Sequence, residues 1–163
     1  MWDVSWRCHC KMFKGFSSVN IDAKGRLAIP ARYRDQLSAG DSSALVLTLN
    51  PWDRCLWLYP ASEWELIEAK LQGLSDFDHE SRRTKQIIRG YATDCAFDGQ
   101  GRVLLPNELR SFALLNKRTA FLGQGNKFEI WDEVLWNQQR DRWLEGINDR
   151  NGSGSAVLGT LSL

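Results

Sequence analysis

The most chemically loaded pattern in this sequence is an acid followed four residues later by an arginine. It occurs twice, as Asp22 and Arg26 in DAKGR and as Asp98 and Arg102 in DGQGR. Two matching carboxylates are raw material for acid–base chemistry, which needs a donor and an acceptor aimed at one substrate. Each carboxylate lies in an Asp-x-x-Gly turn, however. There Asp bonds nearby backbone amides, and Gly25 or Gly101 accepts a positive φ without a Cβ clash. No nucleophile with a base and an orienting partner accompanies them. His9 and His79 are the only histidines, so histidine-based catalysis has little to draw on. Cys8-His9-Cys10 offers metal-ligand types, but the spacing is too short for a zinc knuckle and no second ligand pair follows at a fitting interval. The residues therefore point away from an enzyme, a metal or another cofactor. Cys55 and Cys95 read as reduced thiols in or near strands.

What remains is the chemistry of cations. The formal net charge is only +1, which argues against a purely electrostatic nucleic-acid binder. The charge is polarised along the chain, however. Residues 11 to 34 carry Lys11, Lys14, Lys24, Arg26, Arg32 and Arg34 against the single acid Asp22, whereas residues 50 to 80 are mostly acidic. Double-stranded DNA is the natural partner for such a surface. Lys24 and Arg26, carried on a turn, suit a major groove, where arginine bonds guanine O6 and N7 together. Lys14, Arg32 and Arg34 suit phosphate contacts that set register. The second copy has Gln100 in place of Lys24, so the first copy is expected to be the main reader and Arg102 a further contact. Each Asp–Arg pair reads equally well as an ion pair bracing its own hairpin. The two roles are compatible if Asp orients an arginine that reaches DNA with its free nitrogens. Arg82, Arg83, Lys85 and Arg89 read as a solvated helix face.

These residues must be positioned by a repeated element. DAKGRLAIPARYR (22–34) and DGQGRVLLPNELR (98–110) share Asp, Gly, Arg, Pro and a final Arg without a gap. The likeness continues from LWLYPASEW (56–64) to FEIWDEVLW (128–136). Alternation at Val19 and Ile21 predicts a half-buried strand, and the Asp-x-x-Gly turn then leads to a return strand. There Leu27 and Ile29, or Val103 and Leu105, point to one face. Pro30 and Pro106 suit the first position of a short helix. A second hairpin follows in each copy: ALVLTL and CLWLY, then TAFLG and FEIW around a Gly-Gln-Gly-Asn-Lys turn. Helices are expected over 62 to 74, 80 to 91 and about 132 to 147. Trp57, Trp64, Trp131 and Trp136 suit core or interface packing.

The segments MFKG (12–15), NIDAKGRLAIPARYR (20–34), ATDCAFDGQGRVLLP (92–106) and GQGNKFEIWDEVLW (123–136) together resemble the MraZ family of bacterial transcriptional regulators. The resemblance implies an α+β, mostly β fold: two tandem AbrB-like units of hairpin, short helix and hairpin. Their interleaved hairpins form a pseudo-symmetric split β-barrel with flanking helices. It also implies a ring-like homo-oligomer bound to repeated sites upstream of the division and cell-wall gene cluster, with Asp22/Arg26 and Asp98/Arg102 as the signature pairs. The expected organisation is an extension over 1–11, a first unit over 12–79, a second over 80–150 and a flexible tail over 151–163. No apolar run approaches the ~20 residues that cross a bilayer, and MWDVSWRCHCK lacks a secretory core, so a cytoplasmic, nucleoid-associated protein is expected, with no small-molecule substrate. An antitoxin-like or scaffolding interaction module on the same barrel is the alternative.

Overall fold

A computed structural model describes residues 12–38, 43–148, 157, 160 and 161. The expected extension and nearly all of the expected tail lie outside them. The elements run β1 (Phe13–Asn20), β2 (Arg26–Ala28), α1 (Ala31–Ser38), β3 (Ala44–Leu49), β4 (Leu56–Pro60), α2 (Ala61–Gln72) and α3 (His79–Ile88). They continue as β5 (Thr93–Ala96), β6 (Arg102–Leu104), α4 (Asn107–Phe112), β7 (Arg118–Gly125), β8 (Phe128–Asp132) and α5 (Glu133–Asn148). The α+β character, the two tandem units and the three long helices agree with the sequence reading. Helix α5 forms a separate unit from the body that ends at Asp132. No helix among the described residues is long and apolar enough to cross a membrane.

The second hairpin of each copy forms as expected, β3 with β4 and β7 with β8. The first hairpin of each copy pairs with itself only beside its turn, in the first copy through an isolated antiparallel bridge between Ile21 and Leu27. Strand β1 pairs along its whole length with β7 of the other copy, and β5 pairs with β3. Strands β2 and β6 leave that sheet and pair with each other. The result is a six-stranded sheet, β1-β7-β8-β4-β3-β5, and a two-stranded ribbon, β2-β6. Strand alternation specifies a face but not a partner, which is why the cross-copy pairing is invisible to local pattern. The strands form two sheets rather than one closed barrel.

The pairing registers obey a two-fold relation. In the ribbon Leu27 faces Val103, which is its own equivalent in the repeat. In the sheet Trp57 faces Glu129, again equivalent positions. The repeat is thus folded as an internal dimer. Leu27, Ile29, Val103 and Leu105 are fully buried, as their alternation required, and join Leu45, Leu47, Leu56, Leu58, Phe121, Phe128 and Ile130 in one core. That core belongs to both copies, while Trp57, Tyr59, Leu71 and Ile88 form a second, smaller cluster.

Three local expectations are revised. Pro106 is not the first helical residue but the N-cap, with φ −56° and ψ 144°, and α1 likewise begins after Pro30. An extended ψ at proline ends the strand and lets the helix start one residue later. The turn between β7 and β8 is shorter than expected, because β7 runs on to Gly125 to meet all of β1. The Gln124 amide closes the turn on the Lys127 carbonyl at 2.8 Å. Finally, the basic face of α3 is only half solvated. Arg82 and Arg83 are exposed, but Lys85 bonds the Leu74 carbonyl at 3.1 Å and pairs with Asp76. Arg89 pairs with Glu68 at 2.8 Å, so the acidic stretch of the chain neutralises these cations. Trp57 and Tyr59 pack with Leu71 and Ile88, and Trp64 lies against them, which accounts for two of the four repeat tryptophans as packing residues. Trp131 is likewise buried. Cys55 and Cys95 are free thiols, the first buried.

Candidate nucleic-acid interface

The two signature turns are built alike. Asp22 Oδ1 accepts from the amides of Lys24 and Arg26, both at 2.9 Å, and Oδ2 accepts from Arg26 Nε at 2.8 Å. Asp98 Oδ1 accepts from the amides of Gln100 at 2.9 Å and Arg102 at 3.0 Å, and Oδ2 from Arg102 Nε at 2.9 Å. The Gly25 amide donates to the Asp22 carbonyl at 3.0 Å, and Gly101 to Asp98 at 2.9 Å, with φ of 81° and 74° at the glycines. An aspartate satisfies this turn because one carboxylate can accept three donors at once. The Arg26 amide, aided by the Arg26 side chain and the Lys24 amide against some desolvation, holds the Asp22 carboxyl below its ordinary range. The same arrangement, led by the Arg102 amide, brings Asp98 down to about 2. Both acids are therefore ionised at neutral pH and engaged with the donors of their own turns.

The Asp–Arg pairs do brace their hairpins, as one of the two readings held. They also leave the arginines usable. Asp22 engages Arg26 through Nε, and the Arg26 side chain remains 28% exposed. Arg102 gives both Nε and one terminal nitrogen to Asp98 Oδ2 and is 27% exposed.

The ribbon decides where these arginines point. Arg26 faces Leu104 and Ala28 faces Arg102, so all four side chains lie on the face opposite to buried Leu27 and Val103. Arg26 and Arg102 are diagonal neighbours, which places their Cα atoms about 7–8 Å apart. Lys24 and Gln100 are exposed at the turn tips before each strand. Sequence order separates Arg26 and Arg102 by 76 positions, and the internal dimer sets them side by side.

The other predicted contacts are placed elsewhere. Lys14 is exposed near the start of β1, eight residues before Asp22, or roughly 25 Å along the strand. Arg32 sits close to it, donating to the Phe16 carbonyl at 2.9 Å and to Ser17 Oγ at 2.7 Å. Together they form a second basic point at the far end of β1. Arg34 is half-buried, with Nε on the Ile29 carbonyl at 2.7 Å and its guanidinium against Gly101. The ribbon residue that sequence reasoning passed over is Leu104, 58% exposed on the same face as the two arginines. Its strand alternation was readable, because Val103 and Leu105 were already assigned to the core.

Two consecutive matches to one family model cover residues 12–87 and 88–149; the family is described as "MraZ protein, putative antitoxin-like". A protein called transcriptional regulator MraZ from Thioalkalivibrio sulfidiphilus is 47% identical over 93% of this chain and all of its own length. The protein of that name from Pseudomonas savastanoi pv. phaseolicola is 50% identical over 83% of this chain and 90% of its own. That from Shewanella baltica is 48% identical over 93% of this chain and all of its own. With a repeated Asp-x-x-x-Arg turn, an interleaved internal dimer and relatives of this closeness along nearly its whole length, the chain belongs to the MraZ family.

Proposed function

We propose that this chain regulates transcription by binding double-stranded DNA in a sequence-specific way, with the outer face of the β2–β6 ribbon as the reading surface. The observation that carries the reading is the pair Arg26 and Arg102 on one solvent face of a two-stranded ribbon. A ribbon of this width fits the major groove, and two arginines 7–8 Å apart span about two base-pair steps of 3.4 Å. Arg26 is the principal base contact, with Lys24 beside it; Arg102 is the second, weaker one, flanked by neutral Gln100. Lys14 and Arg32 hold phosphate at a distance from the ribbon and set register. Arg34, engaged with Ile29 and Gly101, belongs to the support of the surface.

The same proposal covers the finer architecture and setting. The ribbon and the sheet, sharing one core, are the two halves of the split barrel, with units over 12–79 and 80–150. The chain works in the cytoplasm on the nucleoid, without catalysis or cofactor. Several copies in a ring bind repeated sites upstream of the division and cell-wall genes. A net charge of +1 makes one protomer a weak binder, and repeated sites raise the effective concentration of the rest.

The test is titration of the protein onto duplex DNA from its own upstream region at several salt concentrations, alongside Arg26→Ala and Arg102→Ala. Specific binding that weakens steeply with salt, and that Arg26→Ala reduces on the order of tenfold or more, supports the reading. A folded protein that binds this DNA no better than random duplex ends it.

A further inference from the structure

We infer that each signature turn is positioned for DNA by an arginine from the opposite copy: Arg110 for residues 22–25 and Arg34 for residues 98–101. The inference rests on the reading that the turns face DNA, and it concerns residues that support the surface without touching the duplex.

The geometry is a closed circuit, made twice. In the first turn, the Gly25 carbonyl accepts from the Leu105 amide at 2.9 Å, and the Leu105 carbonyl accepts from Arg110 Nε at 3.0 Å. The guanidinium of Arg110 then lies back over Gly25, so close that a Cβ there would meet its Cζ at 2.8 Å. In the second turn, the Gly101 carbonyl accepts from the Ile29 amide at 2.9 Å, and the Ile29 carbonyl accepts from Arg34 Nε at 2.7 Å. A Cβ on Gly101 would meet Arg34 Nε at 2.4 Å and Cζ at 2.7 Å.

A glycine is thus required twice over in each turn, by the positive φ and by the guanidinium packed on its Cα. The planar group restrains the Gly–Arg step of the turn, and the residue it restrains is followed directly by Arg26 or Arg102. Arg110 also lines a cleft of about 500 Å³ together with Asp22, Ala23 and Lys117. The fifth identity of the thirteen-residue repeat thus bonds a carbonyl of its own copy and, with the same guanidinium, packs on the turn glycine of the other.

A positioning arginine differs from a phosphate contact in what can replace it. Lysine keeps the charge but has no planar fork to lie on glycine while bonding a carbonyl. The experiment uses the full chain and a duplex recovered from a random-sequence pool by the wild-type protein. Arg110→Ala and Arg110→Lys are both expected to weaken binding to that duplex by about tenfold, while random duplex and the slope of affinity against salt change little. The loss is coupled: Arg110→Ala costs far less when Arg26→Ala is already present, and Arg34→Ala couples in the same way to Arg102→Ala but not to Arg26→Ala. Urea denaturation of each variant separates loss of fold from loss of positioning, and Arg110→Lys serves if the alanine variant does not fold. Recovery of wild-type affinity by Arg110→Lys, or a salt slope reduced by about one charge, identifies a phosphate contact and overturns the inference. Loss of affinity that is additive with Arg26→Ala, or matched in full by loss of folded protein, overturns it as well. If the wild-type chain enriches no sequence from the pool, the regulator reading fails and this inference falls with it.

Discussion

Replacing Gly101 by alanine exposes the crossed packing of the two copies to a direct stability measurement. The backbone there has φ +74°, and the new Cβ would stand 2.4 Å from Arg34 Nε and 2.5 Å from Cδ. Holding an L residue in the left-handed region costs about 1–2 kcal/mol. The methyl group also expels Arg34 from its place, and a hydrogen bond from a charged donor, here Nε to the Ile29 carbonyl at 2.7 Å, contributes about 1.5–3 kcal/mol. Taking the lower part of each range because Arg34 is only half-buried, the sum is about 3 kcal/mol, or a fall in Tm of roughly 6–12 °C for a chain of this size. The assay is urea and thermal denaturation followed by circular dichroism, with Gly99→Ala as the control. Nothing lies within 4 Å of a Cβ built on Gly99, so that variant is expected to stay within about 0.5 kcal/mol of wild type. Combining Gly101→Ala with Arg34→Ala sharpens the test, since the arginine can be expelled only once. The double variant should cost about 3 kcal/mol, where independent effects would reach about 5 kcal/mol. Strict additivity, or a Gly101→Ala variant as stable as Gly99→Ala, would refute the argument that Arg34 is locked over the turn.

Two further outcomes follow from the same geometry. Leu27 is fully buried at the ribbon centre opposite Val103, so Leu27→Ala should cost about 2–5 kcal/mol in urea denaturation; a loss below about 1 kcal/mol would show that the two sheets do not share a tightly packed core. Asp98 has its folded-state pKa lowered to about 2 by turn amides and Arg102, below an unfolded value of about 3.9. A depressed folded pKa gives stability that is complete above the unfolded value and is lost as pH falls through the folded one. The stability difference between wild type and Asp98→Asn should therefore be constant near neutral pH and shrink between about pH 4 and pH 2; a difference that persists unchanged at the acid end of that window would mean the carboxylate charge is irrelevant to the turn.

The local features of this protein were legible in its residues because their causes are local. Asp22 bonds amides two and four residues away, and Asp98 does the same. Alternation buried Leu27, Ile29, Val103 and Leu105, and the thirteen-residue repeat announced two equivalent units. The candidate reading residues Arg26 and Arg102 were named from type and position together with the family resemblance. Tertiary structure decided which strand each strand meets, and with it everything that makes those arginines one surface. Phe13 pairs with Gly125 and Ile29 with Gly101 because a shared core holds strands from distant parts of the chain together. The same core set Arg34 against Ile29 and Gly101, partners that its place in the sequence did not reveal, and α2 brought Glu68 to Arg89 at the end of α3. A side-chain period tells which face of a strand is apolar; it carries no information about the neighbour across the hydrogen bonds, which is chosen by burial summed over both copies.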